Sequence, residues 1–583
     1  MASKAKAAVA AKTLLASLGV ILAITGCSGA AGDSNGNQSP NNDKEANAES
    51  PVLTNPKDFK FDPPIKVTTG YRWTAQGENE FKEGETIEDN FHTRWMRESM
   101  GIDLSFDFVT PNLEDYQTKL RLMMAGNQKL PDVFTSKVEM ASDLITAGKV
   151  QPLNDYIDKY LSDNVKAIYE KYPDVLYPVT RDGKIFGLPN LYAMDEGTVM
   201  WVREDWLQKL KLEAPKTIDE FTEVIRAFTE EDPDGNGVKD TLGLAISLKE
   251  GPYNWMSSGD GLVGAFGNAM PSKYIWEYWN PDESGQLIYN GIQPSVKSFL
   301  AQMREWHEKG YVDPEAGIKD PGKAGEMASS GQAGIIFGPA WMNGYPLSGV
   351  PGFKAYPLPA GADGQQARAE KTMVRDYLLF NKDFKNVDAI IGYINKIYAA
   401  SFGESDPYFD EALRSGWMEG YDYVTHEGKV YRNNFGEHDV PKEKWPNASD
   451  DTITYGLSLP FLNGTVPFQS DTAFEKFLND PDAEPSNITE ISVSKADPRM
   501  LEAGLVRISQ NESTVVNYFS AAPTKTMISK GELLNKLTNE TYLKIIYGNE
   551  PVDYFDEFVE QWKKNGGDEI TKEVNEWYAS VKK

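Results

Sequence analysis

The stretch Ile102-Asp-Leu-Ser-Phe-Asp-Phe-Val109 alternates apolar and polar residues, as a strand with one buried face does. Pro64-Ile-Lys-Val-Thr-Thr69 before it and Leu130-Pro-Asp-Val-Phe-Thr135 after it also have the composition of strands. Between the second and third strands, Asn112 can cap a helix with one apolar face, made of Tyr116, Leu120, Met123 and Met124. Alternating strands and helices predict an α/β protein with a mostly parallel sheet, whose ligand crevice lies outside the carboxyl ends of its strands.

The α/β pattern continues in a second unit that opens near Gly187-Leu-Pro-Asn190. Thr217 and Glu220 form a capping box for a helix with another apolar face, made of Phe221, Val224, Ile225 and Phe228. The chain ends in two amphipathic helices separated by Gly566-Gly567. We therefore predict two α/β units, the second of which includes the C-terminal helices.

The composition is that of a folded, acidic protein. The 583 residues include 59 Lys and Arg against 87 Asp and Glu, a formal net charge of −28, and 40% are hydrophobic. Nucleic acids and anionic membrane surfaces are bound through clustered cations, so this charge balance excludes both as partners. The hydrophobic content excludes wholesale disorder. A single cysteine allows no disulfide within the chain, and with only four histidines it argues against a zinc site.

The N-terminus has the features of an export signal. Three lysines precede the apolar run Thr13–Ile24, which has the length of a secretory signal and is too short to span a bilayer comfortably. The run ends in Ile24-Thr-Gly-Cys27, which resembles a bacterial lipobox, where the cysteine is diacylated on sulfur and becomes the new N-terminus. We predict a signal peptide over residues 1–26 and lipidation of Cys27, with the membrane contacted only through this anchor.

Residues 27–60 are rich in Gly, Ser, Asn and Pro and have almost no apolar content. A stretch of this composition behaves as a flexible coil rather than a folded unit. We predict a disordered tether that holds the folded body at the extracellular face of the cell membrane.

The strongest local motif is Asp232-Pro-Asp-Gly-Asn-Gly-Val-Lys-Asp240, whose spacing matches the calcium loop of an EF-hand. The side chains of Asp232, Asp234, Asn236 and Asp240 and the backbone carbonyl of Val238 would be the oxygen ligands. The twelfth position, where such loops carry a bidentate Glu, is occupied by Gly243. We expect structural calcium in an incomplete loop; the alternative is a turn without metal.

Two stretches resemble nucleotide-binding motifs but lack a strand or a residue that those motifs need, and common catalytic motifs are absent. Gly259–Gly264 fits the dinucleotide pattern but does not follow a hydrophobic strand, and Gly317–Ala324 ends in Ala where a Walker A loop needs a hydroxyl. Neither a GxSxG elbow nor an HExxH motif occurs in the chain, so no catalytic residue is predicted. The abundance of acids still allows a catalytic carboxylate pair, so a polysaccharide-degrading enzyme stays an alternative.

Many aromatic residues stand in Gly-, Pro- and Asn-rich stretches rather than on periodic faces: Trp73, Trp201, Tyr253, Trp255, Trp276, Tyr278, Trp279, Trp341 and Tyr345. Rings exposed beside polar groups suit sugars, because the apolar C–H faces of sugars stack on aromatics while their hydroxyls form hydrogen bonds. Core packing is an equally good explanation for any single member of the set. The set as a whole favours a carbohydrate ligand.

Lipobox, tether and α/β body together resemble the extracellular solute-binding proteins of ABC importers, specifically the large lipoproteins of Gram-positive sugar importers. The segments that carry the resemblance are Leu130–Phe134, Gly183–Pro189, Trp201–Leu207, Pro215–Phe221, Ala333–Trp341, Phe555–Trp562 and Glu573–Trp577. Together they extend over nearly all of residues 61–583.

This resemblance implies a periplasmic-binding-protein-like bilobed clamp, in which two α/β lobes joined by hinge strands close on a ligand without covalent chemistry. Lobe 1 would comprise residues 61–190 and 372–455, and lobe 2 residues 191–371 and 456–583. The implied partners of this monomer are an oligosaccharide and the membrane subunits of an ABC permease. In similar proteins the ligand touches the loops at the strand ends, which here contain Arg72, Trp73, Lys137, Tyr253, Trp255, Trp341, Arg375 and Asp376; Trp201 joins them from the aromatic set.

Two questions stay open at the level of sequence. A peptide-binding receptor is a further alternative to the sugar receptor. The charge of the ligand is the other question, because the acidic chain as a whole would oppose an acidic sugar. Such a ligand would require a positive cleft formed by local cations, for which Arg72, Lys137, Arg203 and Arg375 are the candidates.

Overall fold

The computed structural model describes residues 60–72, 84–192, 197–249, 251–272, 274–369, 373–403, 420, 424–431, 435–445, 461–462, 464–481, 483–494 and 496–581. The predicted signal peptide, Cys27, the predicted tether up to residue 59, and Trp73 lie outside these residues. Among the residues described, no helix combines the length and the apolarity needed to cross a membrane.

The strands follow one another along the chain as β1 (Ile65–Arg72), β2 (Ile102–Thr110), β3 (Val133–Ser136), β4 (Thr180–Arg181), β5 (Lys184–Ile185), β6 (Gly187–Leu191), β7 (Val199–Arg203), β8 (Leu242–Ala245), β9 (Trp279–Pro281), β10 (Leu287–Tyr289), β11 (Ala333–Gly338), β12 (Phe353–Tyr356), β13 (Arg368–Ala369), β14 (Val374–Phe380), β15 (Val424–His426), β16 (Lys429–Tyr431) and β17 (Thr514–Val515).

The helices are α1 (Phe91–Met100), α2 (Leu113–Ala125), α3 (Val138–Thr146), α4 (Asn154–Tyr160), α5 (Asp163–Lys171), α6 (Glu204–Leu210), α7 (Ile218–Glu230), α8 (Asp260–Val263), α9 (Pro294–Glu308), α10 (Pro321–Ser329), α11 (Val387–Ser401), α12 (Gln469–Asn479), α13 (Ile488–Ser494), α14 (Pro498–Ile508), α15 (Lys525–Ile546), α16 (Tyr554–Trp562) and α17 (Asp568–Val581). The predicted capping of α2 and α7 is present: the side chains of Asn112 and Thr217 accept hydrogen bonds from the backbone N–H groups of Asp115 and Glu220.

The first lobe is built on strands from two parts of the chain. β1 and β2 pair in parallel, with Ile65 opposite Ile102, while β14 runs antiparallel between β3 and β6. Thr68 and Asp132 join the two groups of strands, because each backbone N–H donates to the other residue's side chain at 3.0 Å. Strand β14, which comes after the second-lobe sheet in sequence, thus lies at the centre of the first lobe.

The second lobe contains a four-stranded sheet in the order β12-β7-β11-β8. Only β11 and β8 pair in parallel; β7 is antiparallel to both β11 and β12. The predicted α/β class is confirmed, but the prediction of mostly parallel sheets is wrong. The chain crosses from the first-lobe sheet to the second-lobe sheet before β7 and crosses back before β14. Each of these two strands is antiparallel to both of its neighbours.

Each lobe has one large apolar core, with smaller apolar clusters beside it. One core is formed by residues of α1, β1–β3, β6, β14 and α11, and the other by residues of β7, α7, β8, α9, β11 and α15–α17. Phe461 and Leu462 belong to the first core, although the predicted boundary at 456 put them in lobe 2. The ring of Phe461 packs edge-on against Tyr393 of α11, 5.5 Å between centroids, which places this segment with the first lobe.

Candidate functional site

Three aromatic rings form a surface in the second lobe that we call the aromatic platform: Trp255, Trp341 and Tyr345. The rings of Trp255 and Trp341 are stacked, with centroids 5.8 Å apart and planes inclined by 18°. The ring of Tyr345 is also stacked with that of Trp255, with centroids 6.4 Å apart and planes inclined by 16°. Trp255 is 48% exposed and Tyr345 52%. Large apolar rings with this exposure can take the flat face of a ligand.

The platform lies beyond the carboxyl ends of two neighbouring parallel strands. Trp341 belongs to the short 3-10 segment Ala340–Asn343 that follows β11, and Trp255 stands in the loop that follows β8. Ser257 holds the loop against the strand end, since its backbone N–H donates to the carbonyl of Phe337 at 2.8 Å. The platform therefore occupies the edge of the sheet at which α/β proteins bind ligands.

Two predicted ligand residues of this lobe are buried instead. Trp201 of β7 is 1% exposed, and its indole N–H donates to the backbone carbonyl of Pro339 at 3.1 Å. Tyr253 is also buried, and its hydroxyl bonds the Asn539 side chain at 2.5 Å. Both rings are core residues, because both faces of β7 are covered by apolar packing and the loop of Tyr253 folds back over α15.

The first lobe gathers a set of cations at its strand ends, which we call the cation cluster: Arg72, Lys137 and Arg375. Arg72 is the last residue of β1, Lys137 follows β3, and Arg375 is the second residue of the antiparallel β14. The ammonium group of Lys137 donates to the backbone carbonyl of Arg375. Predicted ligand residues far apart in sequence are thus brought together.

The charges around Lys137 act on its ionisation. Burial lowers the pKa of Lys137, the carboxylate of Asp376 opposes this shift, and the guanidinium groups of Arg375 and Arg72 add to it. Glu139 is a second acid that raises the pKa. Two arginines and two acids therefore lie close enough to Lys137 to shift its pKa.

Asp376 is held in place from two sides. Its carboxylate accepts a hydrogen bond from the Asn190 side chain at 3.0 Å and from the Arg375 Nε at 3.2 Å. Arg203 does not join the cluster: it forms a bidentate pair with Asp205, at 2.7 and 2.6 Å, and lies over the ring of Trp206. Of the four cations that the sequence offered for a positive cleft, Arg72, Lys137 and Arg375 therefore remain.

Two residues beside these groups were missed as ligand candidates. Tyr345 was among the loop aromatics, and its spacing of four residues from Trp341 was the signal that could have added it to the platform. Asn190 is the one polar side chain of strand β6, Gly187–Leu191. A polar side chain in an otherwise apolar strand is a signal of a hydrogen-bonding role.

The Asp232 loop lies between α7 and β8 and forms a tight polar turn. The carboxylate of Asp232 accepts the N–H groups of Gly235 and Gly237, both at 3.1 Å. The Asn236 amide donates to Asp234 at 2.8 Å and to Asp240 at 3.1 Å. Four of the five predicted calcium ligands therefore have their side chains drawn together.

Acidic groups within the loop are close enough to influence one another. Desolvation raises the pKa of Asp232, but a hydrogen bond shared with Asp234, two backbone N–H groups and the charge of Lys209 outweigh it and leave the pKa lowered. No group of three or more acidic, histidine or cysteine side chains placed to hold a metal occurs within the described residues. A cation here would thus depend on Asn236 and on the Val238 carbonyl as well as on the acids.

The missing Glu at the twelfth loop position has a packing cause. Gly243 of β8 crosses α7 so closely that a Cβ atom would lie 2.4 Å from the Cβ and 2.5 Å from the carbonyl oxygen of Ile225. Any side chain at this position would collide with the helix backbone. The fold itself therefore excludes a ligand at position 243.

Comparisons with known proteins agree with this architecture. The model of the family described as bacterial extracellular solute-binding protein matches residues 78–401. The polygalacturonan/rhamnogalacturonan-binding protein YtcQ of Bacillus subtilis is 24% identical over 79% of this chain and 82% of its own length. Lipoprotein LipO of the same organism is 22% identical over 80% of this chain and 85% of its own length.

A solved structure has the same fold. The Streptococcus pneumoniae ABC-transporter substrate-binding protein FusA, in complex with kestose, superposes with a TM-score of 0.61 at 18% identity, over 89% of this chain and 99% of its own. A second structure of FusA is described as an EF-hand mutant and has a TM-score of 0.62 at 17% identity, over 89% and 99% of the two chains. With a bilobed α/β body and a family model that matches more than half of its length, the chain belongs to the bacterial extracellular solute-binding proteins.

Proposed function

We propose that this solute-binding protein captures an oligosaccharide between its lobes and delivers it to an ABC permease. The observation that carries the proposal is the aromatic platform, where Trp255 and Trp341 present stacked, partly exposed rings at the carboxyl edge of the second-lobe sheet. Sugar rings bury their C–H faces on such surfaces, and their hydroxyls need the polar groups that surround them. The cation cluster in the first lobe supplies polar groups of this kind.

The named relatives support the ligand class. FusA is described as a fructooligosaccharide ABC transporter substrate-binding protein, and YtcQ as a polygalacturonan/rhamnogalacturonan-binding protein. Both names specify carbohydrates longer than one sugar unit. They differ in charge, since a fructooligosaccharide is neutral and polygalacturonan is acidic.

Capture would proceed by closure of the lobes. The chain passes from one sheet to the other between β6 and β7 and again before β14, and in this proposal these two passages are the hinge. A ligand that contacts both lobes favours the closed state by its additional contacts. Binding of this kind involves no covalent chemistry and returns the sugar unchanged.

The cell-surface location follows from the lipobox. In our proposal Cys27 carries the lipid, the residues up to 60 form the tether, and the folded body acts as a monomer at the extracellular face of the membrane. LipO, which bears the name lipoprotein, supports this arrangement. Two acyl signals are enough for stable anchoring of a soluble body.

Calcium belongs to the proposal as a structural ion of the Asp232 loop. The side chains of Asp232, Asp234, Asn236 and Asp240 and the carbonyl of Val238 would hold it, and hydrogen bonds already draw these side chains into one turn. The EF-hand named for FusA supports such an ion in a relative. Calcium would fix the connection between α7 and β8.

The test is a binding screen of the purified protein by thermal shift and isothermal titration calorimetry. Neutral and acidic oligosaccharides, each from two to six sugar units, are compared with peptide pools of similar mass. We expect saturable binding of at least one oligosaccharide and no new reducing ends after incubation. Release of reducing ends would indicate a glycoside hydrolase, and binding of peptides alone would indicate a peptide receptor.

A further inference from the structure

Arg72 and Lys137 are cations without an acidic partner among the described residues. No described carboxylate lies within ion-pair distance of either side chain, and the hydrogen bond of the Lys137 ammonium goes to a backbone carbonyl. Lys137 is half-buried, so its charge has lost part of its hydration. A cation in this position is stabilised by an anion that approaches from outside.

Other cations of this chain are paired far more completely. The guanidinium of Arg226 contacts three glutamates, at 2.6, 3.1 and 2.6 Å, and the ammonium of Lys297 contacts two aspartates, at 2.8 and 2.7 Å. Other described cations without an acid within ion-pair distance, such as Lys66 and Lys382, are exposed to water. Lys137 differs from these two in being half-buried without an acid within ion-pair distance, and Arg72 is close enough to act on its charge.

The cluster is also locally positive. Three cations, Arg72, Lys137 and Arg375, act together with two acids, Asp376 and Glu139. Arg375 and Asp376 neutralise each other at 3.2 Å, which leaves the other two cations to set the character of the surface. A positive site within a negatively charged protein attracts anions at short range, while the protein as a whole stays soluble.

We propose that the oligosaccharide is acidic and that Arg72 and Lys137 bind a carboxylate of one of its sugar units, while the aromatic platform takes the sugar faces. This inference rests on the proposed function, because it names the charge of the same ligand. A guanidinium can hold a carboxylate through two parallel hydrogen bonds, and the ammonium adds a third donor. Asn190 and Arg375 fix Asp376 beside this site, where the acid offsets the charge of Arg375.

The test compares pairs of oligosaccharides that differ only in the carboxylate. Uronic-acid oligosaccharides of three to five units, prepared from polygalacturonan and from alginate, are titrated calorimetrically beside the same chains with every carboxylate reduced to an alcohol. We expect the acidic members to bind at least tenfold more tightly than their reduced counterparts. The affinity for acidic members should fall as salt rises, because charge attraction is screened.

Substitutions assign the effect to residues. Arg72→Gln and Lys137→Met should each weaken binding of the acidic member by roughly tenfold or more and weaken binding of the reduced member by a clearly smaller factor, because a hydrogen bond between charged groups is worth about tenfold in affinity and exceeds one to a neutral hydroxyl. Lys382→Gln removes the same charge from an exposed residue just beyond the other end of β14 and should change neither.

The outcomes separate this inference from the proposed function. If only neutral oligosaccharides bind, or if both variants weaken acidic and reduced members equally, the sugar receptor stands and the carboxylate site is wrong. If no oligosaccharide binds, acidic or neutral, the proposed function fails and the inference fails with it.

Discussion

Trp255 and Trp341 stack in the second lobe with ring centroids 5.8 Å apart, although 86 positions separate them in sequence. Two parallel neighbours, β8 and β11, carry them to the same edge of the sheet. Trp255 also stacks with Tyr345, and about half of the surface of each of these two residues stays exposed. Each ring thus supports the orientation of the next.

Removal of either tryptophan should weaken sugar binding. We expect Trp255→Ala and Trp341→Ala each to cost about 1–3 kcal/mol of binding free energy, because each deletes a stacking surface. The double variant should lose less than the sum, since the first deletion already disturbs the second ring. Calorimetry with the best oligosaccharide of the screen measures this. Unchanged affinity in both single variants would contradict the platform as the binding site.

The sequence predicted the fold more completely than the site. Strand and helix periodicity is a local property, so the strands before Arg72 and Lys137 and the caps at Asn112 and Thr217 are present as predicted. β1 runs on to Arg72, which the prediction placed in the loop after a strand that ended at Thr69. Strand direction is not local: β7 and β14 are antiparallel because of the path between lobes, which no periodicity records.

The aromatic residues show that local sequence is also a limited guide to the binding site. Trp201 and Trp341 both have Gly or Pro within a few positions, yet one is buried in a strand and the other lies beyond a strand end. Composition cannot separate the two cases, since the burial of Trp201 comes from tertiary packing that covers both faces of β7. Sequence could therefore identify the aromatic set but not its exposed members.

Gly243→Ala should destabilise the protein although it adds one methyl group. The new Cβ would meet the Cβ of Ile225 at 2.4 Å and helix backbone at 2.5 Å, so β8 or α7 must shift. We expect a loss of about 1–3 kcal/mol in the free energy of unfolding, measured by urea denaturation. Gly531→Ala in α15 is the matched control: its Cβ has an ordinary contact of 3.5 Å, and Ala is the better helix former. Equal effects of the two substitutions would contradict the packing argument.

Calcium should raise the melting temperature if the Asp232 loop binds it. Ligand binding to the folded state stabilises by about 2.7 kcal/mol at a hundredfold excess over Kd. Asp234→Asn keeps an oxygen for the Asn236 N–H but removes a charge, and should abolish most of the calcium effect. Glu213→Gln, an exposed acid outside the loop, should respond to calcium like the wild type. Identical melting in EDTA and in calcium would show that the loop is a turn without metal.

His92 should make stability fall below neutral pH. Burial lowers its pKa to about 3, and its Nε2 lies 3.0 Å from the Tyr393 hydroxyl. Because the unfolded chain has the ordinary pKa of about 6.5, it takes up the proton first, so stability is full above that pH and is lost progressively towards the folded-state value. Between pH 7 and pH 5 this costs about 2 kcal/mol, which His92→Gln should remove from the difference in unfolding free energy between the two pH values. His426→Gln, in the partly exposed β15, should leave that difference as in the wild type. A pH dependence unaltered by His92→Gln would mean that the imidazole is not buried as a neutral group.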